Sequence, residues 1–385
     1  MTPAFLLSRQ WSDEPDGVRL DFWLATAQGP LTVSIHRQQA LFFIRQADAQ
    51  AVTELLSNVR SVSIKPLQLK TFSDEPVSAV YLSSQQQLYR ARDRLEQNGI
   101  ACFEADIRPT ERFLCERFIT ASIDVDADYS KQVLHNVRLR PGHYTPNFEI
   151  MSLDIESDYE SDTLFSIAFV SANINRVLMI GEGTDNDLIE YVADETSLLR
   201  RWIEWVDTID PDILIGWNVI NFDLRLLQKK SQALGVPLDI GRGASQPLWR
   251  QSQADRNHYF VLIPGRVVLD GIDTLRSATY SFSSFALESV GRKLLGRGKL
   301  IHDKTHADPL YKAKEIKRQF RQEKETLAAY NLEDCQLVWE IFEKLDLVNF
   351  SIERARLTGL EMDRPGGSVA AFDNLYLPRL HRKGY

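Results

Sequence analysis

The sequence changes character near residue 148, where short strand-like segments give way to long strands that later alternate with helices. Alternating apolar residues predict three successive strands, and the strands after them are separated by amphipathic helices. The predicted elements are β 148–155, β 164–171, β 176–180, helix 195–206, β 212–216, helix 222–234, β 266–270, a helix near 283–294 and a long helix at about 322–345. This order indicates an α/β layer built on a mixed central sheet.

The β-β-β-α-β-α-β order is that of the ribonuclease-H-like fold. The stretch 236–262 interrupts it, since it is polar and without regular pattern, and we interpret it as an inserted hairpin or a mobile loop. A fold alone does not assign chemistry, so the function has to be read from particular residues.

Residues 4–145 have the patterns of a separate, mostly β domain, as a length of 385 residues allows. Apolar residues alternate over 18–24 and over 31–35, and Gly29-Pro30 between them predicts a hairpin. Further strands are predicted at 40–44, 59–65 and 77–82, and a helix at 86–98. The pattern breaks around 140–146, which predicts a domain boundary.

Composition restricts the class of protein. Hydrophobic residues make up 44% of the chain, which is typical of a globular protein, and no apolar stretch reaches the roughly 18 residues of a membrane span. The N-terminus lacks the pattern of a signal peptide. Three cysteines without metal-type spacing predict reduced thiols in a cytosolic protein. The net charge of −8 argues against a general nucleic-acid coat.

Two carboxylates, Asp154 and Glu156, extend the first apolar strand of the second region. Because side chains alternate along a strand, both lie on one face, and at a strand's carboxyl end they line the usual crevice of an α/β sheet. The pair alone is a weak signal, since about seven acid-x-acid pairs are expected by chance from this composition. The alternative is an exposed acidic strand end.

Two further segments carry acidic residues in suitable settings. Asp223 follows an apolar strand and opens a helix, where a carboxylate is ordinarily a cap or a partner of the helix dipole. Tyr330 and Asp334 are four residues apart on the last long helix, so they share one face. If the chain brings the four carboxylates together, they can hold two divalent ions over a phosphodiester.

These three segments resemble the proofreading exonuclease of family B DNA polymerases, most closely that of bacterial members. The matching motifs are Asp154-Ile-Glu156, Asn218-x-x-x-Phe222-Asp223 and Tyr330-x-x-x-Asp334. The resemblance covers essentially the whole chain. It implies an α/β, ribonuclease-H-like exonuclease domain with a mixed sheet at 147–364, preceded by a mostly β (α+β) N-terminal domain at 1–146, with 365–385 returning to that domain or starting the link to the polymerase palm.

The resemblance also implies the reaction, which is removal of 3′-terminal nucleotides from single-stranded DNA with two Mg²⁺ or Mn²⁺ ions. Asp154 would bridge both ions, Glu156 and Asp334 would complete the tighter site, and Asp223 would hold the second ion through water. Tyr330 would orient the attacking water. Without metal the carboxylates repel, so at least one is expected to take up a proton more readily than normal.

Three other residues are candidates for contact with DNA. Asn218 either reaches a nucleotide or only forms the turn that leaves the strand. Phe222 either stacks on the terminal base or is a core aromatic at a helix start. Lys299 either neutralises the scissile phosphate or is an exposed turn lysine.

In such proteins the polymerase palm, fingers and thumb lie beyond residue 385, so we expect the N-terminal piece of a DNA-directed DNA polymerase that acts in replication or repair. The expected partners are single-stranded DNA 3′ ends, primer–template DNA, the parent's polymerase domains and, through the parent, a sliding clamp, but no membrane. The expected location is the cytoplasm, at the nucleoid. Two other functions stay open, a stand-alone ribonuclease-H-like exonuclease acting on RNA or DNA and a non-catalytic nucleic-acid-binding module.

Overall fold

The computed structural model describes residues 1–129, 131–253, 255–298 and 309–385. The chain divides into two compact units. Unit 1 consists of Met1–Pro146, Arg354–Glu361 and Gly367–Tyr385, and unit 2 consists of Asn147–Glu353 and Met362–Gly366.

The grouping of Arg354–Glu361 with unit 1 differs from the predicted boundary at 364. The physical reason is the buried guanidinium of Arg9. It donates to the carbonyl of Gly359 over 3.4 Å and lies 3.4 Å from the carboxylate of Glu361. A charged group withdrawn from water needs such partners, so this segment packs where Arg9 is.

Unit 1 is mostly β, as predicted. Its strands form a six-stranded sheet in the order β8-β3-β2-β1-β7-β9 and a three-stranded sheet in the order β4-β6-β5. They are β1 (Thr2–Glu14), β2 (Gly17–Thr26), β3 (Gly29–Gln38), β4 (Ala40–Arg45), β5 (Ser63–Lys70), β6 (Pro76–Leu82), β7 (Ser122–Val125), β8 (Val133–His135) and β9 (Leu139–Pro141). The helices of its first 146 residues are α1 (Ala49–Leu55), α2 (Gln85–Gln97) and α3 (Pro109–Cys115).

Several strands of unit 1 depart from the sequence-based prediction. Strands β1, β7, β8 and β9 were not predicted. In β1, a shift of register between Leu6 and Ser8 breaks the alternation of apolar and polar residues. Strand β5 begins at Ser63 rather than at 59, since Ser61 has a φ of 61° and turns the backbone there.

Unit 2 contains the predicted mixed sheet. Its strands are β10 (Ile150–Ser157), β11 (Leu164–Ser171), β12 (Asn175–Ile180), β13 (Ile189–Val192), β14 (Ile213–Gly216), β15 (Leu248–Gln251), β16 (Tyr259–Leu262) and β17 (Val267–Asp270). Six of them form one sheet in the order β13-β12-β11-β10-β14-β17. Strands β10, β11 and β12 are antiparallel neighbours, whereas β14 and β17 run parallel to β10.

The helices that follow α3 along the chain are α4 (Glu195–Ile209), α5 (Arg225–Leu234), α6 (Gly271–Ser277), α7 (Leu287–Leu295), α8 (Pro309–Gln322), α9 (Lys324–Lys344), α10 (Leu347–Thr358) and α11 (Ser368–Arg382). A π-helical turn, Ile220–Leu224, precedes α5. Helix α9 packs on the central sheet, with Leu327, Ala328 and Cys335 buried against Phe165 and Ala168 of β11.

The parallel strands position the site. Ser152 on β10 pairs with Ile215 on β14, and Gly216 at the end of β14 pairs with Asp270 at the end of β17. The carboxyl ends of the three strands therefore meet at one edge of the sheet, where ligands of α/β proteins usually bind.

Three smaller expectations can be compared with the fold. The irregular stretch 236–262 contains a hairpin, in which β15 and β16 pair antiparallel. Cys102, Cys115 and Cys335 are free thiols. Within the described ranges, the structure has no helix with the length and apolar character needed to cross a membrane.

Candidate active site and metal centre

Asp154 and Glu156 project from the carboxyl-terminal half of β10. In the antiparallel pairing with β11, Asp154 lies opposite Ala168 and Glu156 opposite Ser166. Residues two apart share a face of the sheet, so both carboxylates point to the side that α9 covers. Asp154 is half-buried and Glu156 is buried. The predicted common face of the pair is confirmed.

Asp334 reaches the same place from α9. One carboxylate oxygen from each of Asp154, Glu156 and Asp334 lies within 4.8 Å of the others. Asp334 is 1% exposed, so its carboxyl group is buried beside those of the strand. The fold therefore brings the first and third sequence segments together.

Asp223 joins the site through the backbone of β10. Its Oδ1 accepts a hydrogen bond from the N–H of Ile155, the residue between the two strand carboxylates, over 3.0 Å. The π-helical turn produces this placement, since the N–H of Leu224 reaches back five residues to the carbonyl of Val219 at 2.9 Å. Such turns are frequent at functional sites.

Burial raises the pKa of Asp223 well above its ordinary value, and the negative charges of Asp270 and Glu156 add to the increase. The expected uptake of a proton by one carboxylate in the absence of metal is therefore confirmed in direction. Desolvation is the largest cause, ahead of the repulsion between carboxylates that the sequence suggested.

Tyr330 lies in the site as a neutral phenol. Burial raises the pKa of its hydroxyl, followed by the charges of Asp334, Glu156 and Asp154, and a hydrogen bond with Asp334 contributes in the same direction. A hydroxyl that stays protonated keeps both its donor and its acceptor capacity. The predicted neighbourhood of Tyr330 and Asp334 on one helix face is confirmed.

The three predicted DNA contacts have different outcomes. Asn218 is exposed and has a left-handed φ of 59°, which makes it the turn-former after β14 and leaves its side chain open to solvent. Phe222 is 47% exposed, so the alternative that it is a core aromatic is wrong. Lys299 lies outside the described residues.

Two buried polar residues at the site were not predicted. Asp270 caps α6 by accepting from the N–H of Ile272 over 3.0 Å, and its other oxygen accepts from Ile220 over 3.4 Å. Asp270 ends a strand that runs parallel to β14, and this position could have identified it as a site residue. Asn331 donates from Nδ2 to Oδ2 of Asp154 over 2.7 Å. Nothing in the local pattern of α9 marks Asn331.

The donor set fits a hard divalent cation. The clustered ligand atoms of Asp154, Glu156 and Asp334 are all carboxylate oxygens, which Mg²⁺ and Mn²⁺ prefer over nitrogen or sulfur. The nearby thiol of Cys335 is directed away from this role, since it donates to the carbonyl of Ala168 over 3.3 Å. These three carboxylates could hold a metal ion.

The sequence matches three described protein families. Residues 100–290 match the family described as DNA polymerase family B, exonuclease domain. Residues 4–39 match DNA polymerase II, N-terminal, and residues 40–100 match DNA polymerase II, insertion domain.

Relatives cover the chain almost completely. DNA polymerase II of Escherichia coli (strain K12) is 41% identical over 99% of this chain and 49% of its own length. A DNA polymerase of Thermococcus gorgonarius is 27% identical over 57% of this chain and 27% of its own length. The solved structure of the family B DNA polymerase from Pyrobaculum calidifontis has a fold similar to this chain, with a TM-score of 0.78 at 20% identity.

The alignment with that structure covers 99% of this chain and 51% of the solved one, so the chain spans about half the length of the Escherichia coli and Pyrobaculum calidifontis polymerases. The matched segments place the motifs of Asp154, Asp223 and their neighbours inside the exonuclease region. The chain belongs to the family B DNA polymerases, of which it comprises the N-terminal region and the 3′–5′ proofreading exonuclease domain.

Proposed function

We propose that this site removes nucleotides from the 3′ end of single-stranded DNA by hydrolysis that depends on two Mg²⁺ or Mn²⁺ ions. The observation that carries the proposal is the meeting of Asp154, Glu156 and Asp334 within 4.8 Å. Asp223, attached to the same strand by its hydrogen bond to Ile155, is the fourth carboxylate. Carboxylates clustered in this way repel one another when no cation is present. Binding of divalent cations removes this repulsion, so the cluster is well suited to hold them.

Each carboxylate has a distinct role in the proposal. Asp154 belongs to the cluster with Glu156 and Asp334, and in the proposal it would serve both ions. Glu156 and Asp334 would complete the ligands of one ion. Asp223 lies outside the group of three and would serve the second ion. When bound, such ions activate water at neutral pH and offset the charge that develops on a phosphodiester.

Tyr330 orients the attacking water. Its hydroxyl is neutral and is hydrogen-bonded with Asp334. This hydrogen bond fixes the orientation in which the hydroxyl oxygen can bind a water molecule. Orientation of this kind lowers the entropic cost of bringing the nucleophile to the phosphorus.

The π-helical turn binds the terminal nucleotide. Phe222 is exposed directly beside the buried Asp223, and Asn218 is exposed at the start of the same loop. An aromatic ring stacks on any base, because every base presents a π-face. A proofreading site has to accept all four terminal bases, so stacking is a suitable mode of recognition.

We propose that the chain is part of a longer protein, a DNA-directed DNA polymerase of replication or repair that is located in the cytoplasm at the nucleoid. Its partners would be primer–template DNA and a sliding clamp. The 41% identity to the polymerase of Escherichia coli supports this proposal.

The decisive experiment replaces the acid pair of β10. Asp154→Ala with Glu156→Ala should abolish digestion of a 3′-labelled single strand in the presence of Mg²⁺. The control is another acid-x-acid pair, Asp126→Ala with Asp128→Ala, which lies in unit 1 and is exposed or ion-paired at the surface.

Three outcomes distinguish the possible functions. Digestion that continues after removal of Asp154 and Glu156 contradicts the proposal. Equal digestion of matched RNA and DNA strands favours a nuclease without preference for DNA. Strand binding by the unaltered chain without hydrolysis or metal uptake favours a non-catalytic binding module.

A further inference from the structure

We propose that Asn331 is a positioning residue that orients the carboxylate of Asp154 for metal binding, and that Ser166 fixes the orientation of the Asn331 amide. The inference rests on the proposed function and concerns two residues for which that function so far needs no role. Asn331 and Ser166 are both 0% exposed.

The three side chains form a continuous hydrogen-bonded series. Oγ of Ser166 donates to Oδ1 of Asn331 over 2.7 Å, and Nδ2 of Asn331 donates to Oδ2 of Asp154 over 2.7 Å. The series joins β11, α9 and β10, and its last step connects residues 177 positions apart in the chain.

The series has only one stable direction. An ionised carboxylate can only accept hydrogen bonds, so Asp154 requires the NH₂ group of the amide to face it. The flipped amide would place Oδ1 against a carboxylate oxygen. Asp154 thus sets the direction, and the Ser166 hydroxyl holds the amide in place by donating to Oδ1. Ser166 therefore acts on Asp154 through Asn331.

The backbone around Asn331 is held in place by two more buried polar contacts. Oγ of Ser152 donates to the carbonyl of Cys335 over 2.9 Å, and Sγ of Cys335 donates to the carbonyl of Ala168 over 3.3 Å. Cys335 is four residues after Asn331 and thus on the same face of α9. Helix α9 and the sheet on which it packs are both regular elements. The amide of Asn331 is therefore held at a fixed position beside Asp154.

This arrangement has a consequence for metal binding. A donor on Oδ2 fixes the rotation of the Asp154 carboxylate within the cluster that it forms with Glu156 and Asp334. Groups that hydrogen-bond to metal ligands commonly change metal affinity about 10- to 100-fold when they are removed.

The test measures Mn²⁺ binding by calorimetry on the full chain, so that the readout does not depend on activity. Asn331→Leu keeps the approximate size of the side chain and removes its donor. We expect its dissociation constant for Mn²⁺ to rise about 10- to 100-fold. Digestion of single-stranded DNA should recover at high metal concentration. The matched control is Asn349→Leu, since Asn349 donates to Asp346 over 2.8 Å on the exposed face of α10.

A double-mutant cycle separates positioning from simple packing. Ser166→Ala should weaken Mn²⁺ binding by a smaller factor than Asn331→Leu, and it should have no further effect once Asn331 is Leu. Melting of each variant in EDTA reports on folding. If Asn331→Leu fails to fold, Ser166→Ala alone still tests the positioning role, because the proposal requires that this variant bind Mn²⁺ more weakly than the unaltered chain.

The outcomes distinguish the two proposals. If the unaltered chain binds Mn²⁺ and digests DNA while the folded Asn331 and Ser166 variants bind Mn²⁺ as tightly, the positioning role is overturned and the proposed function stands. Additive effects of the two substitutions also overturn it. If the unaltered chain neither binds Mn²⁺ nor digests DNA, both proposals fail.

Discussion

The N–H of Ile155 donates to Oδ1 of Asp223 over 3.0 Å, and it does so from the position between Asp154 and Glu156 on β10. One strand thus provides two carboxylates through its side chains and holds a third through its backbone. The π-helical turn that carries Asp223 is tied in this way to the geometry of the other acidic residues, and Phe222 beside it is turned outward.

Replacing Asp223 by Asn should lower the nuclease activity without lowering the stability of the protein. In Asp223→Asn the side-chain oxygen can still accept from Ile155, while the buried ionisable group is lost. We expect the stability of the metal-free protein to be retained or increased, since a charge buried there is costly. Digestion should fall at least about 100-fold, as when an electrostatic contact to a transition state is removed.

The measurements are urea unfolding in EDTA and digestion of a labelled strand in Mg²⁺. Asp207→Asn, on the exposed side of α4, is the control and should change neither. A large loss of stability in the Asp223 variant would mean that the carboxylate is needed for folding rather than for chemistry.

Asp270 should give the metal-free protein a pH-dependent stability. Burial raises its pKa from 3.8 to about 6, so the folded state holds this proton more tightly than the unfolded chain does. The stability contributed by the protonated form is complete below about pH 3.8 and is lost as the pH rises through 6. The loss corresponds to about 3 kcal/mol.

The test compares the free energy of unfolding of the unaltered chain with that of Asp270→Asn across this range in EDTA. The unaltered chain should lose stability relative to the variant as the pH rises, and the difference should level off above pH 7. Asp128→Asn, whose side chain is 99% exposed, should follow the unaltered chain. Parallel curves for Asp270→Asn and the unaltered chain would contradict the assigned pKa.

Tyr330→Phe should reduce the rate of hydrolysis without loss of metal affinity. The ring remains buried, whereas the hydroxyl that orients water is removed. We expect kcat to fall about 10- to 100-fold, below the range seen for loss of a full general acid or base. Calorimetry with Mn²⁺ checks the metal affinity, and a parallel loss of it would show that the hydroxyl supports the ligands instead. Tyr159→Phe, exposed and near the end of β10, is the control.

Phe222→Ala should weaken binding of the 3′ end for all four terminal bases. Loss of one base–aromatic stack costs about 1–3 kcal/mol, which is roughly a 5- to 150-fold rise in KM. Stability should change little because the ring is 47% exposed. Phe222→Trp should restore binding, whereas Phe72→Ala, at a 78% exposed phenylalanine of unit 1, should have no effect. A loss confined to one terminal base would argue against stacking.

Much of the site was accessible from sequence because it depends on local periodicity. The alternation of β10 places Asp154 and Glu156 on one face, and the helical repeat of α9 does the same for Tyr330 and Asp334. The order of strands and helices along the chain likewise predicted the mixed sheet. These relationships involve neighbours along the chain, and the backbone geometry of a strand or a helix determines them.

Only the tertiary structure decided which distant groups meet. The exposure of Phe222 follows from a π-helical turn that the apolar pattern of α5 does not reveal, and the grouping of Arg354–Glu361 with unit 1 follows from a buried guanidinium at Arg9. The hydrogen bond from Asn331 to Asp154 depends on the way α9 docks on β10 and β11. A contact between residues far apart in the chain leaves no mark on local periodicity, because it arises from packing between elements and not from the shape of either one.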